Sequence, residues 1–581
     1  MDSELRNFKR KVTTIPKVKA LAWIFVFVFK LSLHFAKKKL FKKSKVEFNN
    51  PAESAIYQNS IIQNLGFLTN AEYLNDTHFN IQQSFNTPPN WKHLFNDEQD
   101  LHLLHRMRDL PFASWRENNF DFFYILIEDW VSKNPVGSLP GWHPYTLSER
   151  LTSLCFTLNF ISDKADKKVE QLFKTTIAEQ ASFLRNNFEF WLGHHNHLIN
   201  NARALLIASV LLPELPQAPE WRKFAIKIFK QEWPYQIFTD GVHAEQSVTY
   251  HFLLTRTLWE MKYLMEQVNE HFPFGDDLSR MIEYAQIIAR PDGTIPFLGH
   301  LTPDWHWTEL VGLLPVWGYD CVSVSNLGKL YRSHTNGNLK ANNQKGVFLF
   351  LDAGQGVLRT EKIHAVLSCD TRGEVAIHGD QNLLGLDIWY AGTHLIRDTG
   401  LASYNLDAKR EWYSSWRGQS TFCIDDFEPS VSNWRKKQLP KSYYSVKSIL
   451  KGNKENMEIS TSHTGYSRLV DPVEVERRVE VKSEDELLIR DFFRCQQQHT
   501  YIAHFHFGNH AVERVSEKCI RIRDLANGNN FLVCWISDLA FRLEENPYAI
   551  AYGDEKTGTT GVFKISFVGN TKVEYVIKCL Q

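Results

Sequence analysis

The sequence predicts an α+β protein of two large parts: paired helices stacked into a solenoid or toroid, then an antiparallel β-sandwich. Three observations carry that reading. From Ser54 to about His334, apolar residues recur three and four apart, the spacing of one helix face. From Gly346 onward, short β-branched and aromatic segments alternate with Gly, Asn and Asp turns, the pattern of half-buried antiparallel strands. The polar stretch His334–Lys345, HTNGNLKANNQK, separates the two patterns. A chain of 581 residues is too long for one core, and the expected parts are 1–50, 51–340 and 341–581.

The first part is basic. Arg6, Lys9, Arg10, Lys11, Lys17 and Lys19 precede the apolar run Ala20–Phe29, and Lys37–Lys39, Lys42, Lys43 and Lys45 follow it. At about 1.5 Å per residue this run falls short of a hydrocarbon core of about 30 Å. Basic-then-apolar is also the form of a secretory signal, but the cationic KLSLHFAKKK that follows offers no small-x-small cleavage site. The segment therefore predicts a helix lying on an anionic membrane face, with a basic helix packed on the next domain as the alternative. The expected location is the cell envelope, periplasmic or membrane-associated, with the cytoplasmic membrane face as the second choice.

In the second part the helical pattern covers Phe120–Ser132, Leu151–Ile161, Val169–Trp191, Asn201–Leu212, Trp221–Trp233, Ser247–Glu270 and Asp277–Ala289, with no repeat of fixed period. Polar groups collect at the links. Trp142 and Tyr145, in the Pro140–Tyr145 loop ahead of Arg150, have the ring shape to stack on a sugar, although packing explains a Trp equally well. His194, His195, Asn196 and His197 crowd four positions before an apolar helix, without the two-His-plus-Glu spacing of a zinc protease. The Asp240-Gly241 turn leads to Glu245, Tyr250 and His251, and Arg290–Pro296 makes a further turn at a helix end.

The third part holds the densest cluster, Arg372–Tyr404. His378 and Asp380 stand two apart, which on an extended strand points both to one face. Leu386–Tyr390 and Thr393–Ile396 read as strands around an Ala391-Gly392 turn, and the second delivers Asp398 beside Gly400. Equal numbers of basic and acidic residues, 66 each, leave no net charge to favour nucleic acid. The eight cysteines lack metal-type spacing and read as buried thiols rather than a disulfide frame.

NPVGSLPGWHPYTLSER, the Asn196-His197 pair, DGVHAEQSVTYH, RPDGTIP, the His378 segment with Asp398, and His463-Thr464-Gly465-Tyr466 together resemble the heparinase II/III family of polysaccharide lyases, especially members tied to cell-surface polysaccharide pathways. The resemblance runs from about Trp91 to Arg490. It implies an incomplete (α/α) toroid followed by a β-sandwich, with a site in the cleft between them. The implied reaction is β-elimination in a uronic-acid-containing polysaccharide, a glycosaminoglycan or exopolysaccharide. That reaction needs the uronate carboxylate neutralised, the C5 proton removed and the O4 leaving group protonated. By resemblance Asn196 and His197 neutralise the carboxylate, Tyr250 is general acid and also a candidate base, and His378 assists proton abstraction. Trp142, Tyr145, Arg150, Glu245 and His251 would contact the substrate. The implied metal ligands are Asp380, Asp398 and His463, for zinc. Asp380 stands where the family has a second His, so calcium or manganese also suit. Gly418–Thr421 lacks the His-Asn pair common in the family. A uronate C5-epimerase would use the same first steps, and a noncatalytic polysaccharide-binding protein would keep the cleft alone.

Overall fold

The computed structural model describes residues 88–93, 98–108, 110–111, 120–162, 164–190, 194–301, 314, 344–369, 378–380, 382–405, 407–429 and 446–580. The basic amino-terminal segment and the stretch 334–343 lie outside the described residues. Among the described residues, no helix is long and apolar enough to cross a membrane.

The helical part contains α1 (Glu98–Arg106), α2 (Phe120–Lys133), α3 (Pro144–Ile161), α4 (Lys167–Asn186), α5 (Asn196–Leu211), α6 (Ala218–Glu232), α7 (Val248–Gln267) and α8 (Gly275–Ile288). Local chemistry fixes their starts. The Asp166 side chain caps α4 by accepting from Val169 N, and His195 caps α5 by accepting from His197 N. That cap starts α5 at Asn196, five residues before the apolar pattern begins. Helix α5 is buried along almost its whole length and packs against α3, α6 and α7, so it is the axis of this part.

The sandwich part begins with β1 (Gly346–Phe350), β2 (Gln355–Arg359), β3 (Ile363–Ser368), β4 (Gly385–Tyr390) and β5 (Thr393–Ile396), followed by the short helix α9 (Ala408–Ser414). It continues with β6 (Phe422–Ile424), β7 (Ser448–Asn453), β8 (Glu458–His463), β9 (Glu474–Ser483), β10 (Glu486–Arg494) and β11 (His499–Gly508). It ends with β12 (Ala511–Ser516), β13 (Cys519–Arg523), β14 (Asn530–Trp535), β15 (Ala540–Ala551), β16 (Asp554–Phe567) and β17 (Asn570–Leu580). The strands form sheets ordered β1-β2-β3-β4-β5, β12-β13-β14-β17-β10-β9-β8-β7 and β15-β16-β11-β6, paired antiparallel throughout. The expected hairpin is there: Ala391 and Gly392 turn between β4 and β5, both with positive φ. The expected strand at His378–Asp380 is not; the backbone there is bend and coil. Cys519 and Cys534 face each other across β13 and β14 and form a disulfide, so the expectation of thiols alone fails for that pair.

An apolar cluster welds the two parts: Val248, Phe252, Tyr284 and Ile288 from the helices meet Phe350, Val357 and Val366 from the first sheet. Polar bonds cross the same seam. Asp240 accepts from the backbone of Asp352 (2.8 Å) and Ala353 (2.9 Å), and Arg290 Nη2 pairs with Asp387 Oδ1 at 2.7 Å, both side chains fully buried. Burial raises the Asp387 carboxyl, but Arg290 and His394 outweigh that and hold it well below the usual range. The pair therefore fixes the RPDGTIP turn against β4.

Candidate active site

Three segments converge where the parts meet: the first turn of α5, the Glu245–Tyr250 stretch entering α7, and the coil around His378. The Gly299–His300 segment packs its backbone against the second and third of these. Gly299 has φ +72°, and a Cβ there would lie 2.6 Å from Gln246 O and 2.7 Å from His378 O, so only glycine fits. His300 N donates to His378 O at 2.6 Å, and Ser247 Oγ donates to His300 O at 2.9 Å.

At the centre is Glu245, fully buried. It accepts from Asn196 N (2.7 Å) and from Asn196 Nδ2 (2.8 and 2.9 Å), and it is bonded to His378 Nδ1. Burial raises its pKa, yet His378, His243 and the Asn196 backbone more than reverse this and keep it ionised far below the usual carboxylate range. Burial pulls His378 down to about 4 against the opposing pull of Glu245, so its imidazole is neutral at pH 7. An ionised Glu245 requires the imidazole proton on Nδ1, which leaves the Nε2 lone pair for a substrate.

The Tyr250 ring lies flat on His378, with centroids 3.8 Å apart and planes 13° from parallel. Its hydroxyl meets the Tyr404 hydroxyl at 3.4 Å. Burial first, then the neighbouring Tyr404 and Tyr145, pushes the Tyr250 phenol well above its ordinary pKa. It is a held proton source rather than a ready base. His197 and Tyr145 continue the wall, rings 4.3 Å apart, with His197 Nδ1 on Glu189 (3.0 Å) and the Arg106 guanidinium 5.1 Å over Tyr145.

The structure thus brings Asn196, His197, Tyr250, His378, Glu245 and Tyr145 together. Two roles change. Glu245 has no surface for substrate and instead orients Asn196 and His378. The Asn196 amide donates into Glu245 rather than into the cleft. Three expected sugar contacts are structural. Trp142 is buried against Trp130 and Phe183, with its indole N–H on Asn134 O. Arg150 is fully buried, stacked 3.9 Å over Trp130 and bonded to His105 O and Gln180. His251 is buried with Nε2 on Met281 O at 2.9 Å. Tyr404, His300 and Glu189 belong to the site although no motif marks them; Tyr404 ends the same dense stretch that contains His378, which is the one signal available.

The metal expectation divides. Asp380 and Asp398 are buried and near enough that, after burial itself, the Asp380 charge is the next cause raising the Asp398 carboxyl well above its ordinary pKa. His300 Nε2 stands 3.1 Å from Asp380 Oδ1, yet among the described residues no donor is aligned on either Asp380 oxygen or on Asp398 Oδ2, and the buried Gln419 Oε1 is likewise without one. Such oxygens fit a cation, and oxygen donors suit calcium or manganese better than zinc. His463 is not with them. Its Nδ1 accepts from Gly465 N at 2.9 Å, its ring lies against Tyr466, and burial lowers it to about 3. Among the described residues, the group of three donors whose ligand atoms lie within 4.8 Å of one another is Asp471, Cys495 and His499.

Comparison with known proteins matches residues 30–306 to the heparinase II/III N-terminus family and residues 342–573 to the heparinase II/III-like C-terminal family. A heparin-sulfate lyase of Pedobacter heparinus is 24% identical over 315 residues, covering 51% of this chain and 47% of that protein. One from Bacteroides thetaiotaomicron is 27% identical over 232 residues, covering 37% and 33%. These alignments span half or less of the curated relatives. The crystal structure of heparinase III superposes with a TM-score of 0.69 at 17% identity, covering 95% of this chain and 90% of that one. The chondroitin AC lyase of Streptomyces coelicolor superposes at 0.54 with 12% identity, covering 91% and 80%. Both likenesses concern the fold.

Proposed function

The chain belongs to the heparinase II/III family, and from that membership we propose that it is a polysaccharide lyase, cleaving a uronic-acid-containing polysaccharide by β-elimination in the cleft between its two parts. The observation that carries the proposal is the Glu245–His378–Tyr250 assembly: a base aimed by a buried carboxylate, with a proton-bearing phenol stacked on it. His378 Nε2 takes the C5 proton, the C4–C5 double bond forms, the C4–O4 bond breaks, and the Tyr250 phenol protonates the departing O4. The Arg106 guanidinium, beside Tyr145 in the same wall as His197, would stabilise the uronate carboxylate as C5 becomes carbanionic. His197 and Tyr145 position the sugar. Asp380 and Asp398 would hold a divalent cation, which supplies fixed positive charge beside the His378 segment. The basic amino terminus supports a place at the cell envelope.

The test is incubation of the purified chain with heparan sulfate, chondroitin sulfate, hyaluronan and bacterial uronate exopolysaccharides, following ultraviolet absorbance of the unsaturated product. Absorbance that rises with wild type and not with Tyr250→Phe supports the proposal. A chain that binds these polymers but yields no unsaturated ends with any of them refutes it.

A further inference from the structure

We propose that Asp471, Cys495 and His499 form a second, structural metal site of the zinc type, at the end of the sandwich away from the cleft. The three residues come from separate places: Asp471 from the loop before β9, Cys495 from just after β10, and His499 from the start of β11. Their side chains are all more than nine-tenths buried, and one ligand atom from each falls within 4.8 Å of the others. Thiolate, imidazole and carboxylate together are a zinc donor set. The site is distinct from the oxygen-lined Asp380–Asp398 region. Arg397, next to Asp398, bonds to His506 near the other end of β11, seven residues or roughly 23 Å of strand away from His499.

The surroundings are those of a metal-bound histidine. His499 Nε2 lies 3.0 Å from Asp471 Oδ2, while Nδ1 is bonded to a different carboxylate, Asp425 Oδ2, at 2.6 Å. A carboxylate on the far nitrogen is the usual device that fixes the tautomer and aims the near one at a metal. Asp425 is itself tied down, its Oδ1 accepting from Thr500 N at 2.7 Å. Asp471 Oδ2 is oriented by the backbone N–H groups of Gln496 (2.9 Å) and Gln497 (2.6 Å). The Cys495 thiol donates to Gln497 O (3.2 Å) and Gly569 O (3.7 Å), and that thiol proton is the one a metal would displace. Binding displaces the Cys495 thiol proton and any proton on His499 Nε2, both released to solvent, and Nδ1–H continues to donate to Asp425. The ion would clip the β10–β11 turn to the loop leading into β9, where Asp471 now holds that turn by hydrogen bonds alone.

The test uses the full chain, stripped with a chelator and titrated with cobalt(II), whose bond to a thiolate gives a charge-transfer absorption that oxygen ligands do not. The expected result is a band saturating at about one equivalent, displaced by zinc, retained in Asp380→Asn and absent in Cys495→Ser. Asp425→Asn should keep the band but weaken the affinity roughly 10–100-fold. Should Cys495→Ser fail to fold, Asp425→Asn and the zinc-dependent rise in the wild-type thermal midpoint decide the matter. No band and no zinc-dependent midpoint shift in the folded wild type would mean a hydrogen-bonded Asp425–His499–Asp471 clasp only. A band undiminished in folded Cys495→Ser would overturn the site as well.

Discussion

Glu245→Gln is the sharpest test of the site, because the substitution changes almost no volume and removes only the charge and one acceptor. In the wild type both carboxylate oxygens are occupied, by Asn196 N, Asn196 Nδ2 and His378 Nδ1–H. An amide can satisfy only some of these. With its oxygen toward His378, its NH2 faces the Asn196 NH2, donor against donor. With its NH2 toward His378, the imidazole must move its proton to Nε2 and loses the lone pair aimed at C5. Hydrogen bonds to a charged group contribute about 1.5–3 kcal/mol each, so losing one and stranding a donor costs on the order of 2–4 kcal/mol of stability. Turnover should fall roughly 10²–10⁴-fold, as for removal of a general base. The pH profile separates this from simple damage. Glu245 raises the His378 pKa against burial, which sets it at about 4; without that charge the acid limb of residual turnover must move lower. Turnover and thermal midpoint are measured on the same preparation across pH. A folded Glu245→Gln enzyme with wild-type turnover and an unmoved acid limb would refute the positioning role and the tautomer assignment with it.

Tyr250→Phe keeps the ring stacked on His378 and removes only the proton, so turnover should fall by roughly 10²–10⁴-fold with the thermal midpoint nearly unchanged; full turnover would remove Tyr250 from the mechanism. Trp142→Ala should act on folding rather than on substrate affinity, costing about 3–5 kcal/mol by urea denaturation, because the indole is buried in the helical core; a raised KM in a fully stable variant would contradict this. Stability should also drop as pH falls from about 6.5 towards 4, since burial lowers His105 and His378 to about 4 and His251 and His364 to about 3. In that window the unfolded chain takes up protons that the native imidazoles refuse, so the slope of unfolding free energy with pH is positive; Asp398 and Asp240, both raised by burial, work in the opposite sense, but His102, His394, His463 and His506 are lowered by burial too and add to the four. A thermal midpoint that stays flat between pH 7 and 4 would show those histidines to be solvated.

The gross architecture was legible because periodicity reports it directly. The helix expected at Trp221–Trp233 is Ala218–Glu232, and that at Asp277–Ala289 is Gly275–Ile288. The errors come from features that periodicity does not encode. Asn196 and His197 looked like a link because they are polar, but the His195 cap draws them into the first turn of α5. Trp142, Arg150 and His251 looked functional because aromatic and charged side chains suit a sugar site. Their partners, Asn134 O, His105 O and Met281 O, are backbone carbonyls that no side-chain pattern reveals. Cys519 and Cys534 looked unrelated at a separation of 15 residues, and only the β13–β14 register places them opposite one another. Only motif order points to His463, whose Nδ1 accepts from the nearby Gly465 N.

Exposure then sorts the site into groups that can meet a polymer and groups that cannot. Tyr145, His197, Tyr250 and Tyr404 are half-buried, whereas Asn196, Glu245 and His300 are sealed. His378 lies on the boundary, 9% exposed. A base must reach substrate yet keep its pKa low enough to stay neutral, and that position meets both demands. The sealed layer couples the two parts of the fold, since Glu245 holds Asn196 on α5 and His378 on the sandwich side with one carboxylate. A shift between the parts would therefore separate the base from its orienting group before it disturbed either core. The Arg290–Asp387 pair and the close approach at Gly299 resist that shift, which gives those residues a bearing on turnover although neither touches the cleft.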